Sequence, residues 1–146
     1  MSFDVTRARG AAVVPPLKGD PLLIDPRREN PLDFLWLDLA TFFFVPVPGL
    51  PPRDAERATY TRDVLGLNAR DALVRARRVA FEHFCNHLRC YAADRDKGAS
   101  ATVLAGKVAL VREMNHVTVW VEMKRQRTKY PTLASLFAAV PEALMW

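Results

Sequence analysis

The sequence predicts an all-α fold: a compact bundle of about five to six helices behind a Pro-rich, extended N-terminal arm. Three observations carry this reading. The run from Ala69 to Ala93 contains no Gly or Pro and is rich in Ala, Leu and Arg, so length and intrinsic propensity agree on a long helix. Nine of the 11 prolines fall before residue 53, which confines extended, helix-breaking chain to the first third. Between and beyond these lie recurrent helix starts and stops: Asn30-Pro31, Gly66, Asn68, Ser100, Pro131 and Pro141.

Taken in order, residues 1–30 read as the arm. Val14-Pro15-Pro16 and the stretch Pro21 to Pro26 hold each residue before a proline extended. The apolar side chains Val13, Val14, Leu17, Leu22, Leu23 and Ile24 call for a surface to lie on. Residues 31–146 read as a single helical domain. Asn30 caps a first helix that opens on Pro31 and continues from Leu32 to Phe44; its aromatic content marks it as core or in part a docking surface, core being favoured, and Val45-Pro46-Val47-Pro48 ends it. Asp54 opens a short helix that Gly66 stops, and Asn68 caps the long one. Ser100 opens a helix to about Met114, with Val103, Leu104, Leu110, Val111 and Met114 on a shared face. His116 to Met123 is ambiguous, because its valines alternate as in a strand. Asn115 as a cap and a charged continuation favour a helix to about Arg127, since a lone strand would lack a partner. Pro131 and Pro141 each open a short helix, and Trp146 should tuck inward.

On a helical wheel Leu73, Ala76, Ala80, Phe81, Phe84, Leu88 and Tyr91 share one side of the long helix, opposite Arg75, Arg78, Glu82, Asn86 and Arg89. Asp71 with Arg75, and Arg78 with Glu82, are spaced as solvated ion pairs. Arg77 breaks the apolar stripe. It must snorkel, find a carboxylate such as Asp33 or Asp38, or meet an anion.

The net charge of +5 is unevenly distributed. Residues 69–130 hold 13 basic and 6 acidic side chains, whereas residues 1–68 hold 8 and 9. Such a field favours polyanions or acidic partners. Cys85 and Cys90 point about 140° apart on a helix and are expected as free thiols. With no apolar run of membrane length and no leader pattern, a cytoplasmic location is expected. The preference for Arg over Lys, 16 against 5, suits a bacterial source. The glycines are scattered and the three serines lie in no nucleophile-elbow pattern, so P-loop, dinucleotide-binding and serine-hydrolase chemistry are disfavoured.

Two clusters suggest chemistry. His83, His87 and Cys90 fall in one helical stripe, three good zinc ligands to which His116 could add a fourth. The spacing resembles the histidine pair of the metalloprotease helix, with Phe84 where that family's catalytic Glu stands, which removes the base. Separately, Arg77 and Arg78 precede His83 by five and four intervening residues, which resembles the Arg-x(4 to 6)-His signature of HEPN ribonucleases. That resemblance implies metal-independent RNA cleavage across a dimer, with His83 as acid or base and Arg78 on the phosphate. Val79 departs from the polar residue often found after the family's Arg.

The leading expectation is binding without catalysis and without a cofactor. Arg75, Arg78, Arg89, Lys107, Arg112, Lys124, Arg125, Arg127 and Lys129 are the candidates for contact with a nucleic-acid backbone, with Tyr130 or Trp120 available for stacking. In size and charge the chain is similar to small basic helical subunits of bacterial RNA-guided complexes. It therefore reads as a non-catalytic subunit or adaptor with a protein partner and nucleic acid as its ligands.

Overall fold

The computed structural model describes residues 21–146; the part of the predicted arm before Pro21 lies outside them. In chain order the described residues form a 3-10 turn at Pro31–Asp33, strands β1 (Leu35–Asp38) and β2 (Phe43–Pro46), and helices α1 (Pro52–Val64), α2 (Asp71–Asp96), α3 (Ala101–Glu113), α4 (Val117–Arg125) and α5 (Pro131–Ala139), closing on a 3-10 turn at Pro141–Met145. The architecture is mostly helical, with one small antiparallel hairpin.

That hairpin corrects the first predicted helix. Asn30 does cap, accepting from Leu32 N–H at 3.2 Å, but it starts only the 3-10 turn. After it, Leu35 and Leu37 point inward on alternate residues, and Leu39 and Phe42 are buried beyond the strand end. Burying this set against α2 and α4 outweighs the helical reading of the same apolar run. The pairing is antiparallel, with Leu37 opposite Phe44 and Trp36 opposite Val45. The connection is built by Asp38, which accepts from Thr41 Oγ1 at 2.8 Å and Ala40 N–H at 3.4 Å. Phe42 takes a left-handed φ of 62° there, unusual for a bulky residue. Its buried ring stands edge-on to Phe81, with centroids 5.6 Å apart.

Helix α2 is the axis of the molecule. Ala80, Phe84, Leu88 and Tyr91 are buried along it, and α3, α4 and α5 pack against it. Trp120 of α4 lies at the centre, 5.1 Å from the Phe84 ring and 5.8 Å from Phe137. Trp146 folds back as expected, parallel to Trp120 at 6.5 Å and edge-on to Tyr91 at 4.8 Å. Arg95 anchors the end of α2 to Glu142 (3.0 Å) and to the carbonyl of Ala139 (2.9 Å).

Beyond the hairpin, helices are found where the sequence places them, but several caps differ. Ser100 caps α3, accepting from Val103 N–H. Residue Asp54 sits within the first turn of α1 rather than before it, Arg70 and not Asn68 precedes α2, and His116 and not Asn115 precedes α4. The ambiguous segment is helical from Val117 onward, and the helix ends at Arg125. On α3, Leu104, Val108, Val111 and Met114 face the core whereas Val103 and Leu110 are exposed, so the predicted shared face is split.

Arg77 and Arg57 are both spent on the fold. Arg77 is 7% exposed, yet no carboxylate among the described residues pairs with it. Instead its guanidinium donates to the carbonyls of Phe42 (3.0 Å) and Leu67 (2.8 Å) and lies 4.7 Å from the centre of the Phe44 ring. Arg57 clamps the 21–30 segment through Glu29 (2.8 Å) and the carbonyl of Pro21 (3.0 Å), while Ile24 N–H donates to the buried Thr61 hydroxyl at 3.0 Å. That part of the arm lies on α1. No helix among the described residues is long and apolar enough to cross a membrane.

Candidate functional site

The exposed side of α2 and the cleft beside it hold the chemically interesting residues. Arg75, Arg78, Glu82, Asn86 and Arg89 fall within an arc of about 80° and extend about 21 Å along the helix. All five are exposed. The expected pairs Asp71–Arg75 and Arg78–Glu82 do not form; Arg78 rests 5.7 Å from the centre of the Phe42 ring and Arg89 donates to Asn86 Oδ1 at 2.9 Å. The arginines therefore keep their charge open to solvent on a rigid rod.

Most of the other predicted basic contacts are engaged internally. Lys107 pairs with Asp94 at 2.8 Å. Lys124 donates to the main-chain oxygen of Trp146 at 2.9 Å and Arg127 to that of Lys124 at 2.9 Å. Arg125 reaches the carbonyl of Leu32 (3.0 Å) and the buried carboxylate of Glu122 (3.3 Å). Arg125 and Lys129 also cover the Trp36 ring, at 4.7 and 5.6 Å from its centre, and Lys129 lies 5.5 Å from that of Tyr130. Arg112 is exposed on α3. Of the two rings expected for stacking, Trp120 is core and the Tyr130 hydroxyl donates to Asp38 Oδ1 at 3.2 Å.

A cleft of about 380 Å³ opens between α2 and the junction of α3 with α4. Its floor is apolar, formed by Ala76, Ala80, Phe84 and Met114; His83, Glu113, Asn115 and His116 stand around it as polar groups. Ala76 and Ala80 lie one helical turn apart, so no branched side chain obstructs the floor. His116 has φ 67° and ψ 48°, a left-handed conformation a non-glycine residue adopts at a cost, and such strain concentrates at binding and catalytic sites. His83 and His116, distant in sequence, thus share one cleft. Glu113 and Asn115 were not singled out as site residues; their signal, two polar side chains flanking a helix break, is also that of an ordinary turn.

The zinc-like triad is not assembled. His87 Nε2 meets the carbonyl of Lys107 at 2.8 Å, Cys90 is exposed, and no three His, Cys, Asp or Glu side chains among the described residues gather as a metal-binding group. Cys85 is a buried free thiol, its pKa raised by burial. For the nuclease signature, Arg78 and His83 diverge by about 140° around α2, so one chain does not present them to one phosphate. The chain matches no protein-family model, no curated protein and no solved structure.

Proposed function

We propose that this chain is a non-catalytic helical subunit or adaptor that holds a nucleic-acid backbone on the arginine stripe of α2 and meets a protein partner in a larger, cytoplasmic assembly. The observation that carries the reading is the row Arg75, Arg78 and Arg89: three exposed guanidinium groups, none ion-paired among the described residues, on one face of the longest helix. Phosphate contact requires accessible positive charge and no precise constellation, since each neutralised phosphate releases condensed counterions.

The test is titration of labelled single-stranded oligonucleotide at several salt concentrations. The triple change Arg75→Gln, Arg78→Gln, Arg89→Gln should lower the slope of log K against log salt by about two, because each lost phosphate contact removes about 0.7 on single strands. An unchanged slope would sink the proposal.

A second reading, HEPN-like RNA cleavage, is favoured by His83 standing exposed on a cleft wall. It requires a second copy of the chain to bring Arg78 to the phosphate. Cleavage in EDTA that His83→Ala abolishes would support it; cleavage that survives the change would eliminate it.

A further inference from the structure

The α2/α3–α4 cleft borders the arginine stripe around the same helix. Val79 bridges them: it lines the cleft, follows Arg78 directly in sequence and stands about one helical turn beyond Arg75. A strand whose phosphates follow the stripe therefore passes the mouth of a cavity with an apolar floor and a polar rim. Nucleobases have the matching chemistry, a flat apolar face and a hydrogen-bonding edge.

We infer that this cleft seats an unstacked purine base of a single strand held on the stripe. A dry cavity of about 150 Å³ accommodates a single benzene ring; at about 380 Å³ this cleft has room for a two-ring base. The alanine floor lets a planar ring lie close to the α2 backbone, with Phe84 and Met114 beyond it. Around the edge, the Asn115 carboxamide offers a donor and an acceptor side by side, the arrangement that pairs with the N6 and N7 positions of adenine. The ring nitrogens of His83 and His116 add further hydrogen-bonding positions, and the Glu113 side chain can accept from the exocyclic amino group of the base. The strained backbone at His116 presents that imidazole at the α4 entrance.

This inference rests on the stripe reading, and the experiment separates the two. Three oligonucleotides of equal length are compared with the full chain: adenine-bearing, uracil-bearing and abasic. The expected result is that the adenine strand binds about tenfold more tightly than the abasic one, with the uracil strand between them. Binding of all three with equal affinity and a steep salt slope would overturn the base seat while leaving the stripe intact; no binding to any would overturn both. His83→Ala should erase the adenine preference without altering the salt slope. His116→Gly should do the same, and because glycine accepts the left-handed backbone freely, loss of preference there is not a folding defect. Retention of the preference in both variants would overturn the assignment.

Discussion

Both main-chain polar groups of Phe44 are taken up by one side chain, that of Asn68, whose Oδ1 accepts from the Phe44 N–H at 2.8 Å and whose Nδ2 donates to the Phe44 carbonyl at 2.8 Å. In an antiparallel ladder the two groups of a residue point the same way, so those of Phe44 face away from β1. Asn68 thus acts as a one-residue third strand. On the opposite rung Leu37 directs its carbonyl outward too, where Gln126 Nε2 donates at 2.7 Å. A two-stranded hairpin is marginal alone, and here each edge is closed by a carboxamide from the helical part.

Asn68→Ala should destabilise the chain by about 1–3 kcal/mol, since it leaves a part-buried donor and acceptor unmet. Asn68→Asp should restore little, because a carboxylate accepts from the N–H but repels the carbonyl. Urea unfolding followed by circular dichroism measures both. A loss confined to a few tenths of a kcal/mol would mean that water replaces the carboxamide freely.

Arg77→Lys should cost about 2 kcal/mol or more, as one ammonium does not span two carbonyls and stack on a ring as a planar guanidinium does. Equal stability of the Lys variant would show that charge, not the fork geometry, is what the site uses. The practical consequence concerns the Arg-x(4 to 6)-His pattern: loss of function in an Arg77 variant reports unfolding, so only Arg78 tests a phosphate role.

The helices were legible because each is announced locally, by Ser100, Pro131, Gly66 and the unbroken run in α2. The hairpin was not. Its alternation of Leu35, Leu37 and Leu39 sits inside a stretch so aromatic that a helix and a strand fit equally. Its connection, Asp38 to Phe43, lacks the Asn-Gly or Gly signal that marks a tight turn. Phe42 supplies the positive φ instead, held by its own burial and by an N–H bond to the Asp38 carbonyl at 2.7 Å. Tertiary packing, invisible to local pattern, decided it. The cleft was half legible: His116 stood as a possible neighbour of His83, but only as a fourth zinc ligand, and that the two line one cleft depends on how α3 returns along α2.

Stability of the hairpin should fall with pH through one group in particular. Burial pushes the Asp38 carboxyl up, but hydrogen bonds from Thr41, Ala40 N–H and Tyr130, with the Lys129 charge, outweigh it and hold the pKa below the usual 3.8. A carboxyl depressed in the folded state adds stability above its unfolded value and loses it as pH falls through the folded one. Asp38→Asn should therefore be less stable than the parent at pH 6, and the gap should close as the pH is lowered below 3.8 toward the folded pKa. Urea midpoints of the two proteins across this range provide the check; a gap independent of pH would assign the effect to turn geometry alone.

The deepest polar group is Glu122, fully buried, with Gln126 Nε2 at 2.8 Å from one oxygen and Arg125 at 3.3 Å from the other. Gln126 donates at once to this carboxylate and to Leu37 O, so it couples α4 to β1. Gln126→Glu keeps the shape but replaces the donor by a second carboxylate facing the first. Two like charges at hydrogen-bond distance in a buried site do not both ionise, so burial and repulsion favour a shared proton in the folded variant. A group raised on folding retains its stability below the unfolded pKa and loses it as pH rises through the folded one. The variant should be destabilised by about 3–5 kcal/mol at pH 7, the cost of an uncompensated buried charge. Much of that loss should return near pH 4, when one carboxyl carries a proton and donates as the amide did. Gln126→Leu has no such proton to gain, and its deficit should stay flat over the same range. If the Glu and Leu variants lose stability in parallel at every pH, the Glu122 carboxylate is not the partner that makes an amide necessary at position 126.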